Sequence, residues 1–153
     1  MNLSLIKLNI SDVDKFIELI RLFEMVFEME DLSIPDKKHL HNVLNKPDFI
    51  AFAALDKGEV IGGLTAYILK QYYASEPLAF IYDIAVKASY QRRGIGKALI
   101  KETAAYCRKN NIEQMFVLAD EEDEQAIGFY RSTNASESKV VNFDYYLKGD
   151  NEK

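Results

Sequence analysis

The chain has 153 residues and a net charge of −5, with 48% apolar and 28% charged residues. This length and balance suit a soluble domain with a single core. The negative charge argues against a dedicated nucleic-acid binder, and no apolar run approaches the roughly 20 residues of a membrane span. Met1 to Lys7 lacks the basic-then-apolar plan of a signal peptide, so a cytoplasmic protein is expected. Cys107 is the only cysteine, which rules out an internal disulfide, and it reads as a small buried hydrophobe.

Residues 3–9 alternate as a first strand. Ser11 or Asp12 is placed to cap a helix whose apolar residues, Phe16, Leu19, Ile20, Phe23 and Phe27, recur at helical spacing. Ile34-Pro35-Asp36 breaks it. A short helix with Leu40, Val43 and Leu44 on one side ends near Pro47. Phe49 to Leu55 and Val60 to Leu69 then read as a hairpin about the turn Asp56-Lys57-Gly58-Glu59. Ala79 to Val86 is the next strand. Ile95 to Asn110 is a helix with Ile95, Leu99, Thr103, Tyr106 and Cys107 as its inward stripe. Glu113 to Ala119 is a strand, Gln125 to about Thr133 a short helix, and Val140 to Leu147 a last strand. No repeat or linker divides the chain, so one domain over residues 1–148 with a polar tail, 149–153, is expected. The order predicts a mixed α/β sheet with helices on both faces.

The run Gln91-Arg92-Arg93-Gly94-Ile95-Gly96, after the strand and before a helix, carries the most chemistry. Glycines let the main chain approach a ligand closely, and a helix start offers free N–H groups at the positive end of its dipole. Phosphate oxygens suit such a site. Gln/Arg-x-x-Gly-x-Gly/Ala is also the acetyl-CoA loop of the GCN5-related N-acetyltransferase superfamily, which this chain resembles. Ile84-Ala85-Val86 before the loop and Phe129-Tyr130 after it extend the likeness. A closer resemblance, to aminoglycoside 3-N-acetyltransferases of this fold, rests on Phe23 to Phe27, Phe49 to Leu55, Tyr82 to Val86, Ala119-Asp120 and Val141 to Asp144.

The resemblance implies a mostly antiparallel, twisted sheet of about six to seven strands, splayed at its centre. It also implies acetyl-CoA as donor and a homodimer. Cofactor contacts would fall on Ile84, Ala85 and Val86 and on Gln91, Arg92, Arg93, Gly94, Ile95, Gly96 and Lys97, mostly through main chain. Tyr130 would assist the departing thiolate. Leu118 stands where many relatives carry a glutamate base, so Asp83 is the replacement candidate and Asp120 the next; a purely structural Asp83 is the alternative. Asp123 stands where relatives carry a pantetheine-contacting asparagine, and when ionised it accepts but cannot donate. Asn134 would supply the left-handed turn that relatives give to glycine.

An acidic cleft of Asp83, Asp120 and Asp144, rimmed by Glu121 or Glu124, would draw a small polycation. The expected activity is direct transfer of acetyl to a primary amine, most specifically the 3-amine of an aminoglycoside. The alternatives are a polyamine or other small amine, and a non-catalytic acyl-CoA-binding module. His39 and His41 show no metal-ligand spacing, and no metal is expected.

Overall fold

A computed structural model describes residues 1–149, in two compact units, Met1–Leu118 and Ala119 onward. Residues 150–153, most of the expected tail, lie outside the described residues.

The first unit contains one five-stranded sheet in the order β1-β2-β3-β4-β5. Its strands are β1 (Leu3–Lys7), β2 (Phe49–Asp56), β3 (Glu59–Leu69), β4 (Leu78–Val86) and β5 (Gln114–Val117). The first four pair antiparallel and β5 joins β4 in parallel. The hairpin turn between β2 and β3 has positive φ at both Lys57 (52°) and Gly58 (84°). That geometry matches the right-handed twist of the flanking strands.

Alternation along β2 and β3 divides the core between the two faces of the sheet. On one face, α1 (Val13–Val26) and α2 (Lys37–Leu44) pack Phe16, Leu19, Leu22, Phe23 and Leu40 against Phe49, Ala51, Ala53 and Ala85. On the other, Ile95 and Leu99 of α3 (Ile95–Lys109) pack against Ile50, Phe52, Ile61, Leu64 and Ile81. Gly63 lets α1 close on the sheet: a Cβ there would lie 2.4 Å from Leu19 Cδ1 and 2.7 Å from the Phe52 carbonyl oxygen. The buried stripe of α3, Ile95, Leu99, Thr103 and Cys107, follows the expected periodicity, and Thr103 Oγ1 donates to the Leu99 carbonyl at 2.8 Å. Cys107 is buried beside Ala79 and Ile112, and that burial pushes its thiol up.

The start of α1 differs from expectation. Neither Ser11 nor Asp12 caps it through a side chain; Asn9 and Asp12 instead form a capping box on a single 3-10 turn, Ile10–Asp12, that leads into the helix.

The second unit carries α4 (Glu124–Arg131). Asp123 caps it, its carboxylate accepting from Ala126 N–H at 2.9 Å. After the helix Asn134 adopts φ 64°, the left-handed turn anticipated there. Arg131 then forms a forked ion pair with Glu137, at 2.7 and 2.8 Å. Val140–Leu147 is not a strand. It has no ladder partner among the described residues, and Val140, Phe143 and Leu147 stay exposed. The sheet therefore has five strands rather than six or seven.

Candidate active site

β4 and β5 are paired only from Leu78↔Gln114 to Ile81↔Val117. Beyond Ile81, β4 continues for five more residues with β3 on one side and no ladder partner on the other among the described residues. Ile84, Ala85 and Val86 lie on this stretch, so their outward main-chain groups can pair with an extended ligand as a sixth strand would. The expected splay thus falls between the last two strands of the five-stranded sheet, not at its centre.

A β-bulge sits at the parting point. Thr65 faces Asp83 and Ala66 faces Ile81, so Tyr82 is an extra residue on β4. Bulges bend the strand and re-aim side chains. Ile81 and Ile84 pack on the α3 face, whereas Ala85 packs with α1. Phe80, Tyr82 and Asp83 therefore share the α1 face. Simple alternation would have put Tyr82 and Asp83 on opposite faces. Asp83 is half-buried and makes no hydrogen bond or ion pair among the described residues; desolvation pushes its carboxyl above the ordinary carboxylate range. A carboxylate in that condition is a stronger proton acceptor than one in free solution.

The loop Gln91–Gly94 closes the same unit. Gln91 is tied back to the strand, its Nε2 donating to the Val86 carbonyl at 2.9 Å. Arg92 (φ 63°) and Gly94 (φ 81°) take the left-handed conformation. Such backbone is uncommon for a non-glycine residue and tends to cluster at ligand clamps. Gly94 is the N-cap of α3 and no side chain caps that helix. The first-turn N–H groups of Ile95, Gly96 and Lys97 therefore stay open to an anion, and nothing lies within 4 Å of where a Gly94 Cβ would be. Arg93 lies over the Tyr90 ring at 5.3 Å from its centroid, and Tyr90 in turn donates to Asp56 at 3.1 Å. These residues fit a pyrophosphate-bearing cofactor: an uncapped helix start, close main chain and three nearby basic side chains, Arg92, Arg93 and Lys97.

The remaining candidates stand apart in sequence. Leu118, in the place of the common glutamate, is exposed directly after β5. Within the second unit Asp120, Glu121, Glu122 and Asp123 line an open acidic depression. Asp123 there serves as the cap of α4, a task unassigned by the sequence reading. Tyr130 is on α4 with its ring 5.2 Å from Phe129, and Asp144 lies exposed in the segment without strand structure. His39 and His41 are exposed on α2. Among the described residues no group of three or more His, Cys, Asp or Glu is arranged to hold a metal ion, and no helix is long and apolar enough to cross a membrane.

Sequence reasoning missed Tyr67. It lies opposite Phe49 on β2 and Phe80 on β4, and its ring meets Tyr82 edge-on at 5.5 Å. A solvent-reaching tyrosine inside the apolar run of β3 was the available signal.

Comparison with known proteins follows the same outline. The model of the acetyltransferase (GNAT) family matches residues 16–134. Among solved structures, the chain is 49% identical to an aminoglycoside acetyltransferase, meta-AAC0020, from an uncultured soil metagenomic sample, in complex with sisomicin; 95% of this chain and 97% of that one align, with a TM-score of 0.94. A second structure of that protein, with trehalose, aligns over the same shares at 50% identity and a TM-score of 0.93. Another aminoglycoside acetyltransferase, HMB0005, also from an uncultured soil metagenomic sample, is 33% identical over 97% of this chain and 100% of that one, with a TM-score of 0.92. No curated protein gives a significant match.

Proposed function

The chain belongs to the acetyltransferase (GNAT) family and is an acetyl-CoA-dependent N-acetyltransferase, and from that premise we propose that its acceptor is an aminoglycoside, acetylated on the amine at the 3-position. The observation that carries a cationic acceptor is Asp83, a half-buried, unpaired carboxylate at the point where β4 leaves β5, beside exposed tyrosines; the 3-position rests on the sequence resemblance alone. Similarity to two aminoglycoside acetyltransferases supports the acceptor class.

Acetyl-CoA supplies an acetyl group on a thioester, activated toward an amine. The loop Gln91–Lys97 would hold its pyrophosphate through main-chain N–H groups, with Arg92, Arg93 and Lys97 adding charge. The open edge of Ile84, Ala85 and Val86 would pair with its pantetheine arm, where a main-chain N–H would be placed to polarise the thioester carbonyl. Asp83, directly or through a water it holds, takes a proton from the incoming ammonium and frees the nitrogen lone pair for attack. By the family resemblance Tyr130 would donate a proton to, or hydrogen-bond, the departing thiolate, and Asp123 would contact the pantetheine. Asp120, Glu121 and Asp144 are carried as acceptor-binding residues on charge alone.

The family match runs through both compact units, which supports one catalytic domain over 1–148. We further propose a cytoplasmic homodimer whose native role includes antibiotic modification. The exposed apolar segment Val140–Leu147 supports the dimer, and light scattering at twice the chain mass tests it.

The decisive assay is CoA release with sisomicin, spermidine and amino acids, for the parent, Asp83→Asn and Tyr130→Phe. Product NMR then assigns the acetylated nitrogen. Turnover of spermidine alone would transfer the reading to polyamines. Silence across the panel, with CoA still bound, would make the chain a non-catalytic acyl-CoA-binding module.

A further inference from the structure

Four aromatic residues form one cross-strand row on the α1 face of the sheet. Phe49 of β2 faces Tyr67 of β3, Tyr67 faces Phe80 of β4, and Phe80 faces Phe116 of β5. Ring contacts join its two ends, with centroids 5.2 Å apart for Phe49 and Tyr67 and 4.9 Å for Phe80 and Phe116. Tyr82, the extra residue of the bulge, adds a ring in contact with both Tyr67 (5.5 Å, 83°) and Phe80 (5.8 Å, 76°). The row is buried at Phe49 and open at the tyrosines: Tyr67 is 40% and Tyr82 59% exposed. Two rings held nearly at right angles by aromatic neighbours make a rigid corner.

The surroundings of this corner are acidic. Asp83 follows Tyr82. The Asp48 carbonyl accepts from Ile68 N–H at 2.8 Å, which fixes Asp48 beside the residue after Tyr67. Neither carboxylate has an ion-pair partner among the described residues. Burial, Tyr82, Asp83 and Asp48 all push the Tyr67 phenol up, and no cation among the described residues counters them. Among the described residues the cation–π contacts fall elsewhere, Lys7 on Tyr106 and Arg93 on Tyr90. Exposed aromatic faces beside unpaired carboxylates suit a cation supplied from outside.

We infer that Tyr67 and Tyr82, with Asp48, form a subsite for a second ammonium group of the acceptor, carried on a saccharide ring, distinct from the amine that Asp83 deprotonates. The inference rests on the polycationic-acceptor reading above. The ring stacks on one tyrosine, its ammonium lies over the other, and Asp48 neutralises the charge. The subsite selects for acceptors with more than one charge and positions them without touching the reacting nitrogen.

The test compares KM and kcat for sisomicin and for the monoamine glucosamine in the parent, Tyr67→Leu, Tyr82→Leu, Tyr82→Phe and Asp48→Asn. Leucine keeps apolar bulk and removes the π face. Each leucine variant is expected to raise the sisomicin KM by about 2- to 30-fold. The loss should fall on KM rather than kcat, and glucosamine should be affected less. Tyr82→Phe should recover most of the loss, because the ring persists. A sisomicin KM within experimental error of the parent in both leucine variants would overturn the subsite, as would equal losses for glucosamine. Calorimetric titration of sisomicin into the same proteins separates the two readings. If the parent binds but does not acetylate it, the acceptor reading falls while the leucine variants still report on the corner; if the parent does not bind it, both fall.

Discussion

Replacing Gly63 by alanine tests how tightly α1 is seated on the sheet that carries the site. The added methyl would sit 2.4 Å from Leu19 Cδ1 and 2.7 Å from the Phe52 carbonyl oxygen. Comfortable carbon contacts begin near 3.5 Å, so Leu19 must yield by about 1 Å. It is fully buried and cannot swing into solvent, and the Phe52 oxygen belongs to the central ladder. Overpacking of this kind costs about 1–3 kcal/mol, and two obstacles place it near the upper end. The stiffer unfolded chain returns about 0.4–1 kcal/mol. The net expectation is a loss of about 2 kcal/mol, or about 4–8 °C in Tm for a chain of this size. Urea and thermal unfolding measure it, with Gly128→Ala as the control. That glycine is inside α4 with open space at its Cβ, so the same change should gain about 0.5–1 kcal/mol. In a Leu19→Ala background the Gly63→Ala penalty should shrink by on the order of 1 kcal/mol, leaving the Phe52 contribution. A Tm for Gly63→Ala within about 1 °C of the parent, or an equal penalty in both backgrounds, would refute the reasoning.

Two other perturbations reach the chemistry more directly. Asp83→Asn should lower kcat/KM by about 10²–10⁴-fold, the usual worth of a positioned base, and should abolish the acid limb of the pH profile. Because burial raises the folded-state pKa of Asp83, that limb should lie above the ordinary carboxylate range. The stability linkage has the opposite sense: the fold binds this proton more tightly than the unfolded chain, so parent stability at this position is full at low pH and declines as pH rises through the raised value, a decline absent from Asp83→Asn. Gly94→Ala forces a side chain into the left-handed region at φ 81°, at a cost of about 1–2 kcal/mol. Calorimetry should find CoA bound several-fold more weakly by this variant than by the parent.

Much of the first unit was legible because its signals are local. Apolar periodicity located α1, α2 and α3, and Asp56 to Glu59 announced a hairpin because glycine tolerates its backbone. The loop Gln91–Gly96 was readable for a related reason: the need for close main chain is written in residue type. Four features were not. The bulge at Tyr82 is a property of pairing between β3 and β4, and nothing in β4 alone marks which residue is extra. Side-chain direction at Asp83 depended on it. The capping of α4 by Asp123, whose carboxylate accepts from Ala126 N–H, was hidden because position suggested only a ligand contact. Val140–Leu147 alternates well, but alternation reports the capacity to pair and not a partner. Tyr67 was hidden by the same limit, since its significance lies in the rings across from it.

The extra residue in β4 also separates two tasks along the chain. Removing Tyr82 outright would restore plain alternation, with Ile81 still opposite Ala66 and Asp83 still opposite Thr65. Position 82 stands outside the ladder, so its side chain, and even its presence, can change while the carboxylate one residue later keeps its place. With Tyr82 in the proposed subsite, a lineage that changes this one codon would alter acceptor choice while leaving the acyl-transfer residues in place.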